Sequence, residues 1–232
     1  MTGHAFRALA VEASTEHFSV AVCDGPAFFE RAVAGPGEPS RQVYAWVAEV
    51  LDEAGLRLAD LDCIAFGRGP GAFTGLRVAA AVAQGLGRGA GLPVCGISSL
   101  QALAQAASSD QPAGTLVAAC LDARMGEVYA GLYLPAVQGI DVVMADCLAD
   151  PDSMELPGEA HFLAIGPGWA AYPALQRRFA DRTIKVDDSA RPQASSVLRL
   201  AQFAFGQGLA GDPAAAVPNY LRNRVAVVSS TS

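Results

Sequence analysis

Ala8-Leu9-Ala10-Val11-Glu12-Ala13-Ser14-Thr15-Glu16-His17-Phe18-Ser19-Val20-Ala21-Val22 is the stretch whose reading decides the fold. An apolar strand, Ala8 to Val11, runs into a polar turn, and an alternating strand follows from Phe18 to Val22, which reads as a β-hairpin. The unit recurs. Leu116 to Leu121 leads into Asp122-Ala123-Arg124-Met125-Gly126-Glu127 and then Val128 to Tyr133, again with an acidic residue after the first strand. Beyond each hairpin and a helical region comes a strand ending in Gly-Pro-Gly. These are Gly69-Pro70-Gly71 after Ile64 to Phe66, and Gly166-Pro167-Gly168 after Phe162 to Ile165. A degenerate repeat with a shorter second copy predicts an α/β fold of two similar lobes. From the residues alone, two unrelated α/β turns of ordinary kind remain the alternative.

Composition narrows the function classes. The chain has 232 residues, 52% of them hydrophobic and 17% charged, enough for a substantial core in one or two domains. No stretch is low-complexity, so the chain is expected to be folded throughout except for a tail after Val228. A net charge of −7 with Lys185 as the sole lysine opposes broad contact with phosphate backbones, so any tie to nucleic acid is expected through a partner. The apolar run from Leu76 to Leu92 is broken by Arg77, Gln84 and Arg88 and reads as a helix in water, with no membrane span. The N-terminus does not read as a secretory signal, and a cytoplasmic protein is expected. Cys23, Cys63, Cys95, Cys120 and Cys147 lack the spacing of a zinc or redox motif and read as buried thiols.

Two helices follow the first hairpin. Ser40 to Ala54 has a serine placed as N-cap, Gly55 beyond its end, and Val43, Val47, Val50, Leu51 and Ala54 on one face. Tyr44 and Trp46 lie off that stripe and suggest a second contact surface. The next helix opens at Thr74 and carries Leu76, Ala79, Ala80, Ala83 and Leu86, small enough in part for close approach of a neighbouring helix. The expected partner-binding face is Tyr44, Trp46, Val47, Leu51, Leu76, Ala79, Ala80, Ala83 and Leu86. Packing of both helices on their own sheet is the alternative.

Candidate chemistry is sparse. Gly69, Gly71, Thr74 and Gly75 stand between a strand and a helix, where free N–H groups could hold an anion, although the loop has neither a P-loop ending nor a dinucleotide fingerprint, and a purely structural turn with glycines at positive φ is the alternative. His4, His17 and His161 are isolated, no His-Glu-x-x-His occurs, and no metal site is expected. Asp122, Arg124 and Glu127 are expected to gather at the second hairpin tip, as a local salt bridge that stiffens the turn or, alternatively, as a cluster that touches a ligand or partner. No catalytic residue is assigned, since no nucleophile signature is present.

Ala8-Leu-Ala-Val-Glu-Ala-Ser-Thr15, Gly69-Pro-Gly-Ala-Phe-Thr-Gly-Leu-Arg77, Gly96-Ile-Ser-Ser-Leu-Gln-Ala-Leu-Ala104, Asp122-Ala-Arg-Met-Gly-Glu-Val-Tyr129 and Pro218-Asn-Tyr-Leu-Arg222 together resemble the bacterial TsaB (YeaZ) family, nearly end to end. The resemblance implies an actin/Hsp70-like (ribonuclease H-like) fold of two lobes, each a mixed sheet with flanking helices. The first lobe would comprise 1–104 plus 194–232 and the second 105–193. It also implies a scaffold role in forming threonylcarbamoyladenosine at position 37 of tRNAs that read codons beginning with A. Implied partners are a TsaD-like catalytic paralogue, a TsaE-like ATPase and a second copy of the chain, with tRNA reached only through the complex. No cofactor is expected to bind tightly to this chain, and ATP or ADP at the shared interface is left open.

Where the catalytic paralogues carry His-x-x-x-His, the corresponding residues here are Ser98-Ser99-Leu100-Gln101-Ala102-Leu103, which cannot replace two imidazoles. The chain departs from the family pattern at Glu12, where aspartate is commoner, and at Ala72, where serine is commoner. The competing function is a nucleotide-dependent phosphotransferase on the same fold, using Glu12 or Asp122 as base or Mg²⁺ ligand.

Overall fold

The computed structural model describes residues 5–34, 39–107, 112, 114–136 and 139–222. His4, the side chain of Ser40 and the tail expected after Val228 lie outside the described residues. The first hairpin forms as read, from β1 (Arg7–Glu12) and β2 (His17–Asp24), and continues into an unforeseen third strand, β3 (Ala27–Ala34). Next come α1 (Pro39–Ala54), β4 (Cys63–Gly69), α2 (Phe73–Ala90), β5 (Val94–Ser98) and α3 (Ser99–Ala107). These strands make a five-stranded sheet in the order β3-β2-β1-β4-β5, antiparallel on the hairpin side and parallel from β1 to β5.

The same plan repeats. β6 (Leu116–Arg124), β7 (Glu127–Pro135) and β8 (Ile140–Ala149) form the meander, and β9 (Phe162–Ile165) and β10 (Thr183–Asp187) run parallel to β6. The order is β10-β9-β6-β7-β8, the first sheet's order with each strand replaced by its counterpart. Short helices α4 (Gly168–Ala171) and α5 (Pro173–Arg178) precede β10, and α6 (Ala194–Gly206) follows it. This duplicated order gives the two similar lobes that the hairpins suggested, in the actin/Hsp70-like, ribonuclease H-like fold that the family resemblance implied.

Strand period 2 assigns each residue to a layer. In β1 the larger Leu9 and Val11 face α1 and α2, packing with Val43, Val47, Val50, Ala79 and Ala83. Ala8 and Ala10 face the other way, with Cys23, Cys63 and Cys95, onto Ala194, Val197 and Leu198 of α6 and Ala102 of α3. Small residues on that side let the helices approach the sheet closely. In the second sheet Ala118 and Cys120 lie under Trp169 of α4 and Leu175 of α5, while Val117, Ala119 and Leu121 meet Leu100 and Leu103 of α3. Helix α3 therefore packs on both lobes, and the division expected after Ala104 falls inside it. All five cysteines are free thiols, four of them buried. Burial pushes the Cys23 and Cys95 thiols up to about 11, which keeps them protonated and unreactive near neutrality. No helix among the described residues is long and apolar enough to cross a membrane.

Candidate functional site

The two hairpin turns and the two Gly-Pro-Gly loops converge on a cleft of about 700 Å³ between the lobes. Its first wall is Ser14 to Glu16 with Pro70 to Phe73 and Leu76, its second is Leu121 to Arg124 with Tyr129, Pro167 and Ala171, and Asn219 to Arg222 cross its mouth. The repeat read from the sequence thus marks the site. The C-terminal contributors carry no local signal and entered that reading only through the family resemblance.

Glu12 does not reach this cleft. As an even-numbered residue of β1 it lies on the α3 side of the sheet, fully buried. Its carboxylate accepts the Ser14 N–H (2.6 Å) and the hydroxyl of Ser99 (3.0 Å), the first residue of α3, where the helix dipole also favours negative charge. Gly67 on the neighbouring β4 makes this possible, because a Cβ there would overlap the carboxylate. Burial raises the Glu12 pKa, opposed by the hydrogen bonds from Ser14 and Ser99.

Asp122 lies on the opposite layer of its own sheet, paired with the buried Val128 under α4 and α5. Its Oδ1 accepts the Arg124 N–H (2.7 Å) and the Tyr172 hydroxyl (3.0 Å), and its Oδ2 pairs with Arg124 (3.1 Å). Glu12 and Asp122 are therefore not counterparts. The helices that follow β4 and β9 cover equivalent faces, so the place of Asp122 falls in the first lobe on the face of Val11 and Ala13. The expected Asp122–Arg124 pair forms, but Glu127 bonds instead to Arg222.

The Gly69 loop is built for packing. A Cβ on Gly71 or Gly75 would strike the Ser14 or Ala13 backbone, and one on Gly69, whose φ is +101°, would meet Leu76 and the Asn219 carbonyl. The Ala72 N–H donates to Ser14 O (2.6 Å), which removes one amide from any anion cradle. Helix α2 begins at Phe73, one residue before the expected Thr74, with no side-chain cap. Of Gly69, Gly71, Thr74 and Gly75, only Gly71 lines the cleft, beside the apolar Phe73 and Leu76. Among the described residues, no three of His, Cys, Asp and Glu gather as a metal ion would require.

The expected partner-binding residues need correction. Val47, Leu51, Leu76, Ala79, Ala80 and Ala83 are buried in the chain's own core, and Leu86 packs against that core. Trp46 is half-buried, with its ring 5.4 Å from Phe18. A helix of a layered fold turns its strongest apolar stripe to its own sheet, so that stripe marks the core and not the outer face. Only Tyr44 stands out, 59% exposed. The outer surface of the pair consists instead of Tyr44, Ala45, Ala48 and Glu49 on α1 with Arg77, Ala81 and Gly85 on α2. The Tyr44 hydroxyl lies 4.0 Å from the place of a Cβ on Gly85, so the two helices present these residues side by side.

Comparison with known proteins matches this architecture. The family model described as TsaD, tRNA N6-adenosine threonylcarbamoyltransferase, matches residues 39–229. The tRNA threonylcarbamoyladenosine biosynthesis protein TsaB of Escherichia coli is 34% identical over 95% of this chain and 96% of its own. That of Haemophilus influenzae is 36% identical over 94% of each chain. The solved structure of YeaZ from Pseudomonas aeruginosa superposes with a TM-score of 0.83 at 35% identity, covering 93% of this chain and all of that one. The chain belongs to the TsaB (YeaZ) family of tRNA threonylcarbamoyladenosine biosynthesis proteins.

Proposed function

We propose that this chain is a non-catalytic scaffold of the assembly that forms threonylcarbamoyladenosine at position 37 of tRNA, docking onto a TsaD-like transferase. The observation that carries this reading is the use made of Ser99 and Leu103, the hydroxyl and the leucine that stand four residues apart in the stretch where the transferase paralogues are expected to carry His-x-x-x-His. The Ser99 hydroxyl donates to Glu12 (3.0 Å) and Leu103 is fully buried against the second sheet, so both serve the fold. Glu12 is sealed under α3, and Asp122 is held by Arg124 and Tyr172. Glu12 is thereby withheld from the competing phosphotransferase chemistry, and Asp122, which lines the cleft, is already paired there.

The docking face in this reading is the outer surface of α1 and α2, centred on Tyr44, Ala81 and Gly85. Small residues there admit a partner helix at short interaxial distance, and the exposed Tyr44 beside them suits an interface anchor. A second copy of the chain would use the same face, which makes homodimer and heterodimer competing states. A TsaE-like ATPase would join the heterodimer, any ATP or ADP would bind at the shared interface, and tRNA would be engaged through the complex.

The test is size-exclusion chromatography of the chain mixed with its cognate TsaD-like protein at micromolar concentration. Co-elution is expected, with loss of it for Ala81→Glu, whose melting temperature stays at the wild-type value. Ala83→Glu differs by half a turn and places a charge in the core, so it is expected to unfold the chain, at a cost of several kcal/mol. Separate elution of the wild-type proteins, or transfer of the threonylcarbamoyl group to tRNA by the isolated chain, would overturn the reading.

A further inference from the structure

Residues 216–222 run from one lobe to the other across the mouth of the cleft. On the first lobe, the Gln84 side-chain amide donates to Ala216 O (2.7 Å) and the Asn219 N–H to Arg68 O (2.7 Å). The Tyr220 ring lies 5.2 Å from that of Phe73, and its hydroxyl accepts from Arg77 Nε (3.1 Å), while the Arg77 guanidinium sits 3.7 Å over the Phe73 ring. The start of α2 is thereby tied to the segment by stacking, cation–π and hydrogen-bond contacts.

Two residues on, Arg222 reaches the second lobe. It donates to the Glu127 carboxylate and to Arg124 O (3.2 Å) and touches Met125 Sδ (3.0 Å). Its side chain is 18% exposed against 84% for Arg124, so the pair with Glu127 is better shielded than the pair at the turn itself. The tip that it grips is unusual. Arg124 and Met125 both have positive φ, 63° and 57°, a conformation that residues with a Cβ adopt at some cost and keep when neighbours hold them.

We propose that residues 216–222 are a latch that holds the lobes closed over the cleft, with Tyr220 as its anchor on α2 and Arg222 as its bolt on the second hairpin. Opening the latch would release the Phe73 and Arg77 side chains at the start of α2 and free the hairpin tip together, because a single short segment restrains both. Loss of either end is therefore felt at the other, although the contacts of Tyr220 named above all lie on the first lobe.

Hydrogen–deuterium exchange on the full chain tests this. Arg222→Ala and Tyr220→Ala are each expected to speed exchange about three- to tenfold in both 70–76 and 122–128, the range for losing a partly shielded contact. The strand amides of Leu9 to Val11 and Val117 to Ala119 are expected to stay unchanged in both variants. Combining Arg222→Glu with Glu127→Arg should restore wild-type protection at both places. The latch is refuted if Tyr220→Ala affects only 70–76, or if the swapped pair melts like the wild type yet leaves both segments fast.

Discussion

The two lobes share one strand order but treat their acidic residue in opposite ways. In the first, Glu12 points under α3, fully buried, and the cleft wall beside it is Ser14, Pro70, Ala72 and Phe73. In the second, Asp122 opens onto the cleft, bonded to Arg124 and Tyr172. Strand alternation explains the contrast, since one residue's step along a strand moves a side chain to the other layer. Topology alone therefore does not place a carboxylate in an interlobe cleft, and parity within the strand does.

If the first lobe truly requires its buried carboxylate, the position that makes room for it should be the most sensitive in the comparison. Gly67→Ala puts a methyl group into the Glu12 carboxylate and is expected to cost about 3 kcal/mol by overpacking. On a Glu12→Ala background the same change should cost under about 1 kcal/mol, since the obstruction is gone. Urea denaturation of the four proteins measures this coupling. Equal costs on both backgrounds would mean that the glycine serves another purpose.

A gentler way to sharpen the contrast is charge. The folded pKa of Glu12 is raised by burial, so the folded chain binds a proton more readily there than the unfolded chain does. That contribution to stability is full below the ordinary carboxylate range and is lost as pH rises through the folded value. Glu12→Gln removes it, so the variant should gain on the wild type as pH rises above the ordinary carboxylate range. Parallel stability curves for Glu12→Gln and wild type would show that the buried group carries no such linkage.

Much of this was legible in the residues, and what was not has a common cause. The hairpins and Gly-Pro-Gly loops announced the lobes because alternation and glycine are local signals. β3 was missed since Phe28-Phe29-Glu30-Arg31 does not alternate, and its pairing to β2 alone defines it as an edge strand. Most residues expected on a partner-binding face lie in the core instead, because an apolar helical stripe says which residues share a side but not what lies against it. Glu12 and Asp122 were equated by their place after a strand, whereas the layer each faces depends on helices far along the chain. Arg222 meeting Glu127 spans 95 residues and has no sequence periodicity to reveal it.

The smallest expected effect lies at Asp122 itself. Asparagine keeps an oxygen for the Arg124 N–H and the Tyr172 hydroxyl and loses only the charge that pairs with Arg124, whose side chain is 84% exposed. Asp122→Asn should therefore cost less than about 1 kcal/mol, and less still at high salt. A spectroscopic signal follows from the same contact. The Tyr172 phenol is raised first by desolvation and then by its hydrogen bond to Asp122 and by that residue's charge. Removing the charge should bring the tyrosine's titration, followed by ultraviolet absorbance, back toward the ordinary range. A loss of several kcal/mol on this substitution would place Asp122 among the structural carboxylates with Glu12 and erase the difference between the lobes.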